Sequence, residues 1–158
     1  FRWTMINMGL VKIKGVDVVL QGLWKFGNDW VFDSRLSYTY QKAQDFTDKS
    51  DKDTYGGQIS YIPWHSGSAI LNAGYKSWEL NYSFIYTGER YDVSANTPEN
   101  YRLPWYTSDF SLAKKFSWRK YDFKLTLEVN NIFNQQYEVV RSYPMPGTNF
   151  KFILNLTI

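Results

Sequence analysis

Tyr121-Asp122-Phe123-Lys124-Leu125-Thr126-Leu127-Glu128-Val129-Asn130 alternates apolar and polar residues without a break. After a loop the alternation resumes in Phe150, Phe152, Leu154, Leu156 and Ile158, set against Asn149, Lys151, Asn155 and Thr157, with only Ile153 out of series. Successive side chains of a strand point to opposite faces, so this pattern describes a sheet with one apolar face and one wet face. Which of the two faces meets water decides the fold class.

The same pattern recurs upstream. Val16, Val18, Leu20, Trp24 and Phe26 share a phase, opposed by Asp17, Gln21 and Lys25. Val11 and Ile13 stand in the opposite phase, which predicts an inserted residue, a β-bulge, near Gly15. Trp30, Phe32, Leu36, Tyr38 and Tyr40 mark the next strand, then Ala69, Leu71, Ala73 and Tyr75, then Trp78, Leu80, Tyr82, Phe84 and Tyr86, then Tyr106, Phe110, Leu112, Phe116 and Trp118. Short turns near Asn28, Lys76 and Arg119 alternate with three long polar stretches, residues 41–57, 88–104 and 133–147. The first of these, with its run Asp48-Lys49-Ser50-Asp51-Lys52-Asp53, reads as a long mobile loop, and residues 58–62 as a short extended piece. No helical periodicity appears, so the expectation is an all-β antiparallel meander with its short turns at one end and its long loops at the other.

Composition narrows the choice of solvent. Aromatic residues make up 20% of the 158 and hydrophobic residues 44%, yet mean hydropathy is −0.46, a mixture suited to a sheet between two different solvents. Nothing approaches the ~20 apolar residues of a membrane-spanning helix. Phe1 begins without the marks of a signal peptide, which is the expectation for a mature or trimmed chain. There is no cysteine, and His65 is the single histidine, so thiolate sites and metal sites built on several histidines are excluded. A net charge of +3, scattered along the chain, argues against nucleic acid as a partner. The outward series carries Trp24, Phe26, Trp30, Tyr75, Trp78, Phe116, Trp118 and Tyr121 beside the short turns, and Tyr38, Tyr40, Tyr86 and Tyr106 toward the long loops. Two aromatic belts around an apolar band, on strands of roughly 10 residues, describe a transmembrane β-barrel facing outer-membrane lipid. The alternative is a soluble barrel or sandwich with the apolar face as its core.

Seven strands are legible, beginning near Leu10, Trp30, Ser68, Trp78, Tyr106, Lys120 and Thr148. Single-chain bacterial barrels have even strand numbers. Either residues 1–8 add an eighth strand to a small stand-alone barrel with a structural or adhesin role, or the chain is a C-terminal piece of something larger.

Certain residues carry a family resemblance. Asn130-Asn131-Ile132-Phe133-Asn134-Gln135-Gln136-Tyr137-Glu138, followed by Tyr143-Pro144-Met145-Pro146-Gly147, resembles the C-terminal signature "N-N-L-F-D-x-x-Y … Y-P-x-P-G-R" of TonB-dependent outer-membrane receptors. Gly15-Val16-Asp17, Ile62-Pro63-Trp64-His65 and Tyr86-Thr87-Gly88-Glu89-Arg90-Tyr91 resemble further segments of that family in the same order. Thr148 stands where the family usually has Arg, and Ile158 where it often has an aromatic residue. The resemblance implies that residues 1–158 are the C-terminal portion of a plugged barrel of roughly 22 strands, its last seven. Long loops would then be extracellular and short turns periplasmic. It further implies a transporter in the cell outer membrane, not an enzyme, that captures a siderophore-iron, cobalamin or haem-like ligand. Import would draw on the TonB complex through an N-terminal region absent from this chain, and a surface lipoprotein is admitted as a further partner. No cofactor or metal is expected. For ligand contact the cationic and aromatic loop residues Arg90, Tyr91, Tyr101, Arg102, Trp105, Tyr137 and Arg141 suit a large, partly anionic molecule. The alternative for each of them is a place in the headgroup belt or in loop packing.

Overall fold

The computed structural model describes residues 9–157; the expectations for residues 1–8 and for Ile158 lie outside them. The strands in chain order are β1 (Val11–Phe26), β2 (Trp30–Asp45), β3 (His65–Tyr75), β4 (Trp78–Thr87), β5 (Arg90–Tyr91), β6 (Tyr101–Arg102), β7 (Trp105–Trp118), β8 (Tyr121–Asn130), β9 (Glu138–Val140), β10 (Tyr143–Pro144) and β11 (Asn149–Thr157). Seven of them form one sheet in the order β1-β2-β3-β4-β7-β8-β11, the meander read from the sequence. The other four form two small two-stranded ribbons, β5 with β6 and β9 with β10.

The short turns lie where the sequence put them. Gly27, Lys76 and Arg119 each adopt positive φ, at 59°, 52° and 55°, as tight hairpins of this hand require. Lys76 lies over the ring of Tyr75 and Arg119 over that of Trp118, so turn cations cap the first aromatic belt.

Register then assigns every side chain to a face. On β7, β8 and β11, Phe110, Val129 and Phe150 align in one row, as do Leu112, Leu127 and Phe152, and Phe116, Phe123 and Leu156. Ser111, Glu128 and Lys151 align on the other face. Among the described residues only Ala43 and Ala113 are buried apolar side chains, whereas seven polar or charged residues are buried. Trp24, Phe26, Leu127, Phe152 and Trp118 are each about half exposed or more. A soluble sandwich would bury these rows as its core; here no described residue covers them.

Three expectations change. β1 shows no inserted residue at Gly15: the Phe46 amide donates to the Leu10 carbonyl, and Thr39 Oγ1 donates to Asp17 Oδ1 at 2.7 Å, so facing pairs keep one register across Gly15. The glycine is there because a β-carbon would come within 2.6 Å of the Tyr40 carbonyl oxygen. The phase break arises because β1 and β2, 16 residues each, outrun the 9–11 residues that cross a bilayer. Beyond Val16 the outward positions are Lys14 and Lys12, and apolar Val11 and Ile13 take the other face.

Residues 41–57 are also not an open loop. β2 continues to Asp45, and the Asp45 amide and carbonyl bond to Gly57 and Gly56. Asp48 Oδ1 accepts from the backbone and hydroxyl of Ser50, and Asp51 Oδ1 from the amides of Asp53 and Thr54. These Asx turns engage Asp48 and Asp51, two of the three aspartates of the run. Residues 58–62 contribute one bridge, Gln44 to Gln58, rather than a strand.

The described chain divides into two compact units: one runs through residue 17 and includes 39–66 and 87–104; the other comprises 18–38, 67–86 and 105 onward. The first is the loop unit, the second the wall.

Candidate functional surfaces

On the polar face of the wall, charges are placed by alternation and then paired across strands. Glu79 is the centre, reaching Lys115 at 2.5 Å and Lys124 at 2.6 Å. Asn72 donates to Asp33 at 2.9 Å and accepts from Asn81, which carries the polar ladder across β2, β3 and β4. Lys151 and Glu128 stand 3.7 Å apart on β11 and β8. Asp33, Asn72, Glu79, Asn81, Lys124 and Glu128 line, together with Ser111, Thr126, Ile153 and Asn155, a concave groove of about 540 Å³. Such a surface, hydrated and cross-linked by partly exposed ion pairs, suits a water-filled or protein-filled lumen. Glu79, Lys115, Lys124, Glu128 and Lys151 form this network of cross-strand pairs.

At the outer end of β8 the signature segment becomes legible as a knot. Asn131 and Asn134 adopt φ of 51° and 50°, a region that Asn tolerates better than other side chains with a β-carbon. Buried Asn131 donates from Nδ2 to the carbonyls of Gln135 and Pro146, accepts the Gln135 amide at Oδ1, and gives its own amide to Asp109. A β-carbon at Gly147 would run into Asn134 Oδ1, and the Thr148 amide donates to that same oxygen. Thr148 Oγ1 donates to the Asn131 carbonyl at 2.7 Å. The two halves of the signature therefore hold each other, and Thr148, a departure from the usual Arg, is part of the lock.

Close by in the wall unit, Trp105 stacks on Tyr137 at 4.4 Å. Burial, and secondarily the charge of Asp109, raise the Tyr137 phenol above its ordinary pKa and keep it neutral. Trp105 Nε1 is buried with no hydrogen-bond partner. Arg141 lies exposed between β9 and β10, at the tip of a ribbon closed by Val140 facing Tyr143.

The remaining four candidates lie in the loop unit. Arg90 faces Arg102, and Tyr91 faces Tyr101, across β5 and β6. Arg90 is only 3% exposed, and burial lowers its guanidinium pKa from the ordinary value. Arg102 is held by Asp92, whose side chain is fully buried, through Nε at 2.7 Å and through Nη2. Tyr91 and Tyr101 meet edge to face at 5.8 Å, leaving Tyr101 partly exposed. Tyr91, Tyr101, Trp64, Glu89, Gln58 and Asn96 line a cleft of about 270 Å³. Its floor is a clasp: Asn96 Oδ1 accepts the Gln58 amide at 2.6 Å, Asn96 Nδ2 donates to the Gln58 carbonyl at 3.0 Å, and Gln58 Nε2 donates to the carbonyls of Ile62 and Glu89. Asp92, Gln58, Asn96 and Trp64 escaped sequence reasoning because their spacing follows no period; an acid within two residues of Arg90 was the one available signal for Asp92.

The family model described as TonB dependent receptor-like, beta-barrel matches residues 1–132. The chain belongs to that family. As part of a TonB-dependent receptor barrel, the uncovered apolar face is the lipid face, and the grooved face lines the lumen. Family membership implies the outer membrane as location, TonB-dependent transport as function, and TonB and small-molecule nutrients as partners; members of this family are transporters, not enzymes.

Proposed function

We propose that these residues form the C-terminal seven strands of a receptor barrel of roughly 22 strands that captures a siderophore-iron, cobalamin or haem-like nutrient at its outer loops. The observation that carries this reading is the set of loop-side aromatic groups with unspent donors. Trp64 and Trp105 each bury an indole N–H that has no partner, beside Tyr101 and Tyr137 respectively. A buried donor without an acceptor is costly, and a ligand oxygen placed there removes that cost. Arg141 supplies an exposed cation for an anionic ligand. Arg90 and Arg102 act in this reading by shaping the loop around Asp92, and Tyr91 and Tyr101 offer the ring surface. Coupling to TonB would run through the plug and N-terminal segment of the larger protein, and a surface lipoprotein would dock, if at all, on the outer loops.

The test uses the complete receptor in a strain lacking its own copy. Tyr101→Ala and Arg141→Ala are each expected to raise the half-saturating nutrient concentration about tenfold, the effect of one binding hot spot, with unchanged receptor level in the membrane. Uptake unaltered in the double variant would overturn the assignment.

A further inference from the structure

We propose, given that the outer loops capture nutrient, that the cleft of the loop unit binds one neutral polyhydroxylated ring, a monosaccharide or a glycosyl group of the nutrient. Trp64 Nε1, Gln58 Oε1 and the Glu89 carboxylate bond its hydroxyls, and Tyr91 and Tyr101 face the ring.

The bonding groups left over in the cleft decide the chemistry. Gln58 is only 6% exposed, and its clasp determines which of its atoms is unspent. Nε2 gives both hydrogens away, to the Ile62 carbonyl at 2.7 Å and the Glu89 carbonyl at 3.2 Å, so the amide cannot be turned the other way round. Among the described residues nothing donates to Oε1. A rigidly held, buried acceptor therefore stands unused in the wall of the cleft. Trp64 supplies the opposite group, a buried Nε1 donor without a partner. Glu89 adds an exposed carboxylate that has no ion pair among the described residues.

A cleft holding an orphaned donor and an orphaned acceptor calls for a ligand that both accepts and donates. A hydroxyl does both. An anion only accepts, and would meet the lone pairs of Gln58 and the charge of Glu89. An ammonium group only donates, leaves the Trp64 N–H unpaired, and meets Lys42, whose Nζ stands over the indole at 4.9 Å. A sugar ring also presents C–H faces, which suit Tyr91 and Tyr101, two rings that meet edge to face at 5.8 Å. At about 270 Å³ the cleft lies below the roughly 300–1,000 Å³ of sites that enclose drug-sized ligands, so it takes one ring and not a whole macrocycle.

The complete receptor, purified in mild detergent, would be titrated with the methyl glycosides of glucose, galactose and mannose, and with glucose 6-phosphate, by saturation-transfer NMR. At least one methyl glycoside is expected to saturate, and glucose 6-phosphate to bind about tenfold more weakly than methyl glucoside, because Glu89 repels it. Trp64→Phe keeps the ring but deletes the N–H, and should weaken the glycoside about fivefold; Glu89→Gln should weaken it about tenfold and narrow the gap to glucose 6-phosphate. Proteolysis between residues 88 and 104 reports whether each loop is still closed. Should Trp64→Phe open the loop, Glu89→Gln, which touches no bond of the clasp, carries the test. In cells, accumulation of radiolabelled methyl glycoside would identify a free sugar as the cargo. Competition with uptake of a ferric siderophore, cobalamin or haem would identify a glycosyl group of the nutrient. Saturation by none of the three glycosides, equal binding of glucose 6-phosphate, unchanged affinity in Glu89→Gln, or neither accumulation nor competition would each overturn the proposal. If no glycoside binds while Tyr101→Ala still raises the half-saturating nutrient concentration, the sugar assignment alone falls and the capture site stands.

Discussion

In the wall, β8 meets β11 through facing pairs that run without interruption from Asn130 with Asn149 to Asp122 with Thr157, and backbone ladders do the joining. In the loop unit, Asn96 grips both backbone groups of Gln58, Gln58 grips two carbonyls, and Asp92 holds Arg102. The wall thus depends on which face a residue occupies, and substitutions that keep the face are tolerated. The loop unit depends on individual side chains whose replacement leaves a buried group unsatisfied. Transport asks for this division: a rigid frame set by periodicity, carrying loops whose shape is set residue by residue.

Substitutions that reverse the two dependences sharpen the contrast. Leu127→Arg, in the row of Leu112 and Phe152, places a cation in the lipid band and is expected to cost about 2–4 kcal/mol, read as a lower urea midpoint for folding into lipid vesicles. Ser111→Arg, on the lumen face opposite Glu128, serves as its control and should shift the midpoint little; equal losses would invalidate the face assignment.

Asn131→Ala tests where ladder gives way to side-chain knot. It deletes three hydrogen bonds and leaves a left-handed residue without its tolerant side chain, for an expected loss of about 2–3 kcal/mol in the same assay.

Asp92→Ala affects the loop unit alone. Breaking a buried pair costs 3–5 kcal/mol, and the partial exposure of Arg102 reduces this to about 2 kcal/mol. Because the opening is local, proteolysis between residues 88 and 104 should accelerate roughly tenfold while the urea midpoint of the barrel stays put. A matching fall in that midpoint would show the two units to be less independent in their stability than their bonding implies.

How much was legible follows the same line. The alternation of Tyr121 to Asn130 and its repeats is a one-dimensional signal, and it delivered strands, faces, turns at Gly27, Lys76 and Arg119, and the aromatic belts. Its failure at Gly15 is instructive. The phase of Val11 and Ile13 suggests a shift in the strand, whereas the strand runs straight and the surroundings change, since hydrophobicity reports the solvent met at each height and not geometry alone. The polar stretch 41–57 looks open in the sequence because short-range Asx turns and an extended β2 have no period to detect. Among the ligand candidates, residue type could not separate exposed Arg141 from buried Arg90.

The sequence by itself determined a two-faced antiparallel sheet, the ends at which its turns and loops lie, and, through its signature residues, the family. Those properties are local or periodic, so the order of side chains along the chain suffices to state them. Only the tertiary structure decided which charges meet: Glu79 with Lys115 and Lys124, and Asp92 with Arg102. Each of these depends on register between strands or on contacts between distant loop residues, and an alternating sequence is compatible with many registers until the backbone bonds select one.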